Sequence, residues 1–490
     1  MAAYDYDLIV LGGGAAGLTA AGIGANLGAK TLMIEKHRLG GDCTWTGCVP
    51  SKTLLKAARV AHQSRHAGRY GLADQEVPVD FPRLMAHVRT VREAVYEEAD
   101  EPALYEAMGV TVQHGLARFI DPHTVEVDGD GGTQRVTGRR FVIATGAAAF
   151  APPIPGLHDG PFLTSETLFE LEVQPERLVI IGAGPIGTEM AQAFARLGTR
   201  VTVIDQSDRI LGHDDPELAG RLQARLEAEG VRYVLGAEVQ EVRRHGGLAV
   251  VARAGGRVHT LAADALLVAT GRRPNLDGLG LDAAGVAYTA RGITVNDRCR
   301  TSRRHIYAAG DVTGRYQFTH MSEHMAKVAA TNALLKLPLR IDADHVPWVT
   351  YTDPELAHLG ATRRQLDEAG TRYAVYRFPY DRLDRAVTDG EPAGLIQVYA
   401  KAWNGKILGV DILGARAGEL ISEYALAMKN GVTLRRIADT IHPYPSYGLG
   451  VRRAADQWYA RKQSTALIRL VQRVFGYRGP VIEPDPDRIV

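Results

Sequence analysis

Short runs of consecutive apolar residues punctuate this chain, and the runs end in glycine. Leu8-Ile9-Val10-Leu11 reads as a brief strand of the kind buried on both faces of a parallel sheet. Gly12-x-Gly14-x-x-Gly17 follows at once, then a small-residue helix through Leu27, then a second strand, Thr31–Ile34, that ends at Glu35. The same series returns 170 residues later as Leu178–Ile181, Gly182-x-Gly184-x-x-Gly187, a helix, and Val201–Ile204 ending at Asp205. In both copies the acid stands 18 residues past the last glycine. The glycines let backbone approach a pyrophosphate at a helix N-terminus, and the acid can bond a ribose hydroxyl. Glycines alone are a weak signal; strand, glycines, helix, strand and acid together are a strong one. Two such units imply two bound dinucleotides.

The remaining pattern is mixed. Residues 83–108 read as a long polar helix broken at Pro102, followed by strands at Thr111–His114, Thr124–Val127 and Gln134–Val136. Phe141–Gly146 and Leu266–Gly271 are strands that each finish in Ala-Thr-Gly, and Pro152, Pro153 and Pro155 mark a boundary between them. Ile306–Asp311 is a further short strand ending Gly-Asp. Beyond Pro347, strands at 373–378, 394–400 and 406–413 alternate with helices at 362–368 and 417–430.

Candidate chemistry concentrates at residues 40–52, Gly-Gly-Asp-Cys-Thr-Trp-Thr-Gly-Cys-Val-Pro-Ser-Lys, which holds two of the chain's 3 cysteines. Pro50 suits the first turn of the helix that runs on to about His62, so Cys48 lies at a helix N-terminus, where the dipole lowers a thiol pKa. Lys52, four residues on, shares its face. A thiol pair beside a cation is a redox arrangement. No further Cys or His stands at metal-ligand spacing, so no metal site is expected.

Composition adds mostly exclusions. The chain has 490 residues, 46% apolar and 23% charged, with a net charge of +1. That is an ordinary soluble globular balance, enough for about three domains, with no general attraction for nucleic acid. The N-terminus runs straight into a strand with no basic leader and no apolar run reaches the length of a membrane span, so a cytoplasmic protein is expected.

Residues 40–52, with the glycine units, resemble the redox-disulfide motif of the class I pyridine nucleotide–disulfide oxidoreductases, the flavoenzymes that include dihydrolipoamide dehydrogenase, glutathione reductase and mercuric reductase. The likeness runs to about residue 460. It implies an α/β chain with two Rossmann-like domains and a C-terminal α+β dimerisation domain. The FAD-binding domain would be 1–152 with 274–345, the NAD(P)-binding domain 153–273 and the dimerisation domain 346–465, followed by a tail, 466–490. Gly12, Gly14, Gly17, Glu35, Gly41, Lys52, Thr145 and Gly146 would then serve FAD, with Gly310, Asp311 on the ribityl chain, and His320 near the ring. Gly182, Gly184, Gly187, Asp205 and Gly271 would serve the nicotinamide cofactor. Asp205 repels a 2′-phosphate and no Arg follows at once, so NAD(H) is expected over NADP(H), although Arg209 is close.

In the family, hydride from the nicotinamide reaches the disulfide through the flavin. By that likeness Cys48 is the flavin-side thiol, Cys43 exchanges with the acceptor, and Glu189 pairs with Lys52; the plain alternative for Glu189 is a solvated helix residue. Cys299 matches no motif and reads as a small buried residue.

The likeness breaks at Ile441-His442-Pro443-Tyr444-Pro445-Ser446-Tyr447-Gly448-Leu449. Lipoamide dehydrogenase and glutathione reductase carry His-Pro-Thr here, with a Glu shortly after. Tyr444 stands at the place of that His and Leu449 at the place of the Glu. Mercuric reductase has a Tyr there too, but also a C-terminal Cys pair, and no Cys follows Cys299. His442 reads equally as a base two residues upstream or as a packing residue.

Four functions stay open at this point: a mercuric reductase-like disulfide or metal reductase, a lipoamide dehydrogenase variant with a specialised lipoyl partner, a quinone or oxygen reductase, and a non-catalytic redox-sensing flavoprotein. A homodimer is expected, each site drawing Cys43 and Cys48 from one chain and His442 and Tyr444 from the other. In the tail, Leu467, Ile468, Leu470, Val471, Val474 and Phe475 fall at helical spacing among arginines, and Pro484–Pro486 reads as extended or disordered. Such a basic amphipathic stretch packs on its own dimer or lies on an anionic membrane surface.

Overall fold

The computed structural model describes residues 4–129 and 131–482. They form two compact units. The first takes the chain up to Ala58, then Pro78–Gln206 and Ala237–Asp342; the second takes Arg59–Val77, Ser207–Gly236 and the chain from Ala343.

In the first unit the apolar runs become the centre of a parallel sheet. Its order is Ile306–Ala308, Phe141–Ile143, Leu8–Leu11, Thr31–Glu35, Val110–His114. Leu8, Ile9 and Val10 are fully buried, because helices cover both faces of such a sheet. The helix Ala15–Asn26 packs against the helix Thr319–Leu335. A second parallel set, Arg200–Ile204, Arg177–Ile181 and Ala265–Val268, carries the second glycine unit. Two antiparallel meanders complete the unit: Leu116–Asp121, Thr124–Gly129 and Gly132–Thr137, and Ala237–Arg243, Leu248–Ala254 and Arg257–Ala263.

The expected elements are present with shifted ends. The polar helix begins at Phe81, where Asp80 accepts from the Arg83 amide at 3.1 Å, and stops at Ala99 before a separate turn of helix at Pro102–Ala107. The strand Leu116–Asp121 was not foreseen: Ala117 and Phe119 point inward, but apolar Leu116 on the exposed face blurs the alternation.

The second unit is built on an antiparallel sheet ordered Pro347–Thr350, Glu355–Gly360, Ile407–Gly414, Leu395–Ala400, Ala374–Pro379. The helices Ala417–Lys429 and Gly448–Ala460 bury Leu420, Tyr424, Val451 and Trp458 in its core. Residues 59–77 and 207–236 precede this region in sequence but fold with it. Arg69 pairs with Glu391 at 3.1 Å, the Tyr70 hydroxyl donates to the Asp389 carbonyl at 2.7 Å, and the Trp348 indole donates to Asp214 at 2.8 Å. His358 and Asp411 face each other across two strands, both buried, with Nδ1 and Oδ1 2.5 Å apart. The other ring nitrogen lies 2.9 Å from the Gly360 carbonyl, so both nitrogens of the ring face oxygen partners. Hydrogen bonding and charge from Asp411 raise its pKa against the opposing pull of burial, which is the largest single effect.

The tail forms a helix at Thr465–Phe475. The Ser464 hydroxyl accepts from the Leu467 amide at 3.1 Å and Gly476, at φ 70°, ends it. Pro484–Pro486 lies outside the described residues.

Candidate active site

Residues 40–52 fold as a tight turn between two helices. Gly40 and Gly41 both take positive φ, 92° and 57°. A side chain on Gly41 would come within 2.7 Å of the Gly14 Cα, so this backbone can lie against the first glycine unit only as glycine. A short helix, Gly41–Trp45, carries Cys43, and Cys48 is the first residue of the helix Cys48–Arg65. The short helix is pinned from several sides. Thr44 donates to Asp100 at 2.5 Å, the Trp45 indole donates to the Leu39 carbonyl at 2.7 Å, and buried Arg92 donates to the Trp45 carbonyl at 3.0 Å.

Cys43 is half-buried and Cys48 exposed, and the two thiols hydrogen-bond to each other. The Thr319 hydroxyl sits 3.3 Å from the Cys48 sulfur, and Thr319 opens the helix Thr319–Leu335. Two helix N-termini therefore meet at this sulfur, and both favour an anion. The Cys48 pKa falls to about 6, chiefly through the hydrogen bond with Cys43, helped by Thr319 and the charge of Lys52. Cys43 moves the opposite way, pushed up by the same hydrogen bond and by burial. The reduced pair is thus one thiolate and one thiol, with the thiolate on Cys48. Lys52 donates to Glu189 at 2.9 Å, and Glu189 is buried.

The two glycine units are alike in detail. Gly12 and Gly182 have φ of 104° and 113°, and a side chain on Gly17 or Gly187 would strike the carbonyl of Gly12 or Gly182. Glu35 accepts from the Gly13 amide at 2.7 Å, and Asp205 from the Ala183 amide at 2.6 Å. Gly14 and Gly184 are the cap residues of their helices and give no side-chain cap. Each helix start thus offers amides to an outside acceptor, and a Cβ on Gly184 would meet nothing within 4 Å. Glycine cradle, bare helix start and carboxylate at the end of the next strand fit a dinucleotide in both places. In such sites the first would hold FAD and the second the nicotinamide cofactor. The two Ala-Thr-Gly turns lie at open positions as well, with nothing near a Cβ on Gly146 or Gly271. Thr145 donates to the Asn275 carbonyl at 3.0 Å, and the Asn275 amide donates back at 2.9 Å.

Arg272 had no role assigned from the sequence. It is largely buried, pairs with Asp42 of the cysteine loop, and lies 3.3 Å from Asp311. Burial raises the Asp311 pKa and the Arg272 charge opposes this. The cysteine loop and the Gly310–Asp311 turn are therefore tied through one guanidinium. Thr319 was also missed. Its only signal was a hydroxyl at the head of a helix, which many helices have. His320, its neighbour, is exposed and stacks on Phe318 at 5.4 Å.

In the second unit, His442 and Tyr444 point to different surroundings. His442 is turned inward, 7% exposed, with Nε2 2.9 Å from Glu423 and Nδ1 3.0 Å from the Thr440 carbonyl. Both ring nitrogens therefore face oxygen atoms of the chain, one a carbonyl and one a carboxylate. Tyr444 is 69% exposed and its hydroxyl donates to Asp384 at 2.8 Å, which raises the phenol pKa. Leu449 is buried in the core. Glu423 and Asp384 were not singled out from the sequence, because each reaches its partner from a separate helix.

The sequence profile of the pyridine nucleotide-disulphide oxidoreductases matches residues 6–326, and that of their dimerisation domain matches 346–455. The chain belongs to this family and is an FAD-dependent oxidoreductase. It is 37% identical to a mercuric reductase of Bacillus cereus, over 92% of this chain and 71% of that protein. It is 38% identical to a dihydrolipoyl dehydrogenase of Thermus scotoductus, over 92% and 97%. Among solved structures, LpdA from Mycobacterium tuberculosis superposes with a TM-score of 0.85 at 28% identity, covering 92% of this chain and 99% of that one. The HOCl-induced flavoprotein disulfide reductase RclA from Escherichia coli, solved as a Cu(II) complex, gives 0.82 at 28% identity, over 92% and 99%. Among the described residues no helix is long and apolar enough to cross a membrane.

Proposed function

We propose that this flavoprotein disulfide oxidoreductase uses NADH to reduce a disulfide or a thiophilic metal ion through Cys43 and Cys48, and that Tyr444 serves the acceptor side where relatives use an imidazole. The carrying observation is the sulfur pair itself: an exposed thiolate and a half-buried thiol in hydrogen-bond contact, beside Lys52 and two helix N-termini. When bound, FAD supplies the route by which two electrons pass from the nicotinamide to the disulfide.

The reduced pair does the exchange. The Cys43 proton passes along the hydrogen bond to the Cys48 sulfur, the Cys43 thiolate attacks one sulfur of the acceptor to form a mixed disulfide, and the departing thiolate takes the proton from Cys48. Cys48 then attacks the Cys43 sulfur, the Cys43–Cys48 bond closes, and the second acceptor thiolate leaves. One thiol and one thiolate are consumed, and one of each is released from the acceptor. Asp205, holding the Ala183 amide and followed by Gln206 and Ser207, favours a ribose 2′-hydroxyl over a 2′-phosphate. The family's dimerisation domain supports a homodimer.

The deciding experiment is an acceptor panel of lipoamide, glutathione disulfide, quinones and Hg(II), run with NADH on the FAD-loaded wild type and on Cys43→Ser and Cys48→Ser. Turnover of a disulfide or of Hg(II) that both substitutions abolish supports the proposal. Quinone or oxygen reduction that survives both, with no disulfide or metal turnover in the wild type, overturns it. The second reading, a dihydrolipoamide dehydrogenase variant, is favoured by the His442–Glu423 pair, which supplies a histidine–carboxylate couple from other positions.

A further inference from the structure

The helix Thr465–Phe475 lies beyond the matched residues, which end at 455, and none of its residues is buried in the chain. At 100° per residue its apolar side chains fill one broad face. Leu467, Leu470, Val474 and Phe475 are 45%, 55%, 64% and 66% exposed. Arg469, Gln472 and Arg473 fall on the opposite face. An isolated helix of this length is marginal in water, so Ser464 and Gly476 at its ends give it bounds but not a reason to persist. It needs an apolar surface to lie on.

Charge identifies that surface. Arg469, Arg473 and Arg478 stand in the helix or just after it, with no acidic residue between Ser464 and Ile482, while Arg461 and Lys462 before it are engaged with the Tyr376 ring and the Trp403 carbonyl. A protein groove would cover the apolar face and leave the arginines of the opposite face in water, without using them. A lipid surface with anionic headgroups takes the apolar face into its acyl boundary and the arginines at its headgroups together. Phe475 and Tyr477, stacked at 5.9 Å and exposed, put an apolar ring and an amphipathic one at the end of the helix, where interfacial anchors sit. We propose that residues 464–482 form an in-plane anchor that attaches this oxidoreductase to an anionic membrane surface.

The test is vesicle flotation of the FAD-loaded full-length protein, with phosphatidylglycerol/phosphatidylcholine vesicles against pure phosphatidylcholine. The variants are a chain ending at Gln463, Leu470→Glu with Val474→Glu, and Arg469→Gln with Arg473→Gln. The full-length protein is expected to float with anionic vesicles and to be released by high salt. Truncation and the double Glu variant should abolish binding, and the double Gln variant should weaken it about thirtyfold. NADH-dependent turnover in solution should be the same for all. Absence of flotation, or equal flotation with neutral vesicles, overturns the proposal. So does a truncated chain that leaves the vesicle question moot by dissociating where the full-length dimer holds, because the apolar face then packs on a second copy.

Discussion

The sulfur site of the first unit and the segment 440–449 of the second are assembled in the same way, each from a titratable group met by a partner far along the chain. They differ in what the partners do to the group. Around Cys48, Thr319, Lys52 and the Cys43 thiol all favour an anion, and the sulfur stays exposed. Around His442, two oxygen partners face the two ring nitrogens and the side chain is nearly closed off. The first arrangement readies a group to react; the second spends its reactivity on holding the segment. Tyr444, two residues on, is the exposed group of that segment. The first unit holds the thiolate of the pair, and the second holds a phenol with a raised pKa.

The comparison breaks most sharply on the cysteines. Cys43→Ser and Cys48→Ser should each abolish thiol-linked turnover while keeping FAD, most of whose expected contacts lie in other motifs, and Cys48→Ser should lose the long-wavelength thiolate–flavin band. Full disulfide reductase activity in either variant would remove the sulfur pair as the relay. Next comes the acceptor side. Wild-type turnover of dihydrolipoamide should lie about 10² to 10⁴ below that of enzymes with an imidazole base. Tyr444→His should recover part of it, because Asp384 already stands ready as the carboxylate partner. Adding Leu449→Glu would bury a carboxylate in the core, so the single change is the better variant. Steady-state kinetics with lipoamide checks both statements, and a wild type that matches its relatives restores His442 as the base.

Smaller effects sharpen the contrast. His442→Asn should lower stability by about 1 kcal/mol, the net worth of a hydrogen bond to a carboxylate that water can still reach, and leave kcat on the preferred acceptor within about twofold. A collapse of kcat with unchanged stability would reverse the roles assigned here. Asp205→Ala should narrow the preference for NADH over NADPH by about tenfold, the worth of a hydrogen bond to a charged group; a wild type that prefers NADPH refutes the assignment. Last, the Cys48 pKa is lowered, so the thiolate persists down to about pH 6 and is lost as pH falls through that value. The thiolate band of the reduced enzyme should titrate away with that midpoint, and a midpoint above 8 would mean that the partners do not act as described.

The sequence carried the parts of this protein whose causes are local. Gly12 to Glu35 and Gly182 to Asp205 are contiguous, and steric demands on each glycine left a pattern that can be read without a structure. The helix after Cys48 announced itself through Pro50 and its apolar spacing. The Lys52–Glu189 pair spans 137 positions and was accessible only through resemblance. Arg272 with Asp42 and Asp311, Thr319 with Cys48, Glu423 with His442 and His358 with Asp411 had no such help. In each, one residue meets another brought to it by a different element, and neither leaves a mark in its own neighbourhood of sequence. The placement of His442 was open for the same reason: its segment departs from the family pattern, and what fills its ring nitrogens comes from another helix.

Cys299 is fully buried at a left-handed backbone position, φ 59°, and burial pushes its thiol up to about 12. For anyone handling the protein, this makes one of its three thiols silent. A thiol reagent added to the folded, reduced protein reports Cys43 and Cys48 alone; added to the folded, oxidised protein it reports neither; only unfolding brings the third into the count. The molecule thus carries its own gauge of oxidation state, legible with a colour reagent and no added label.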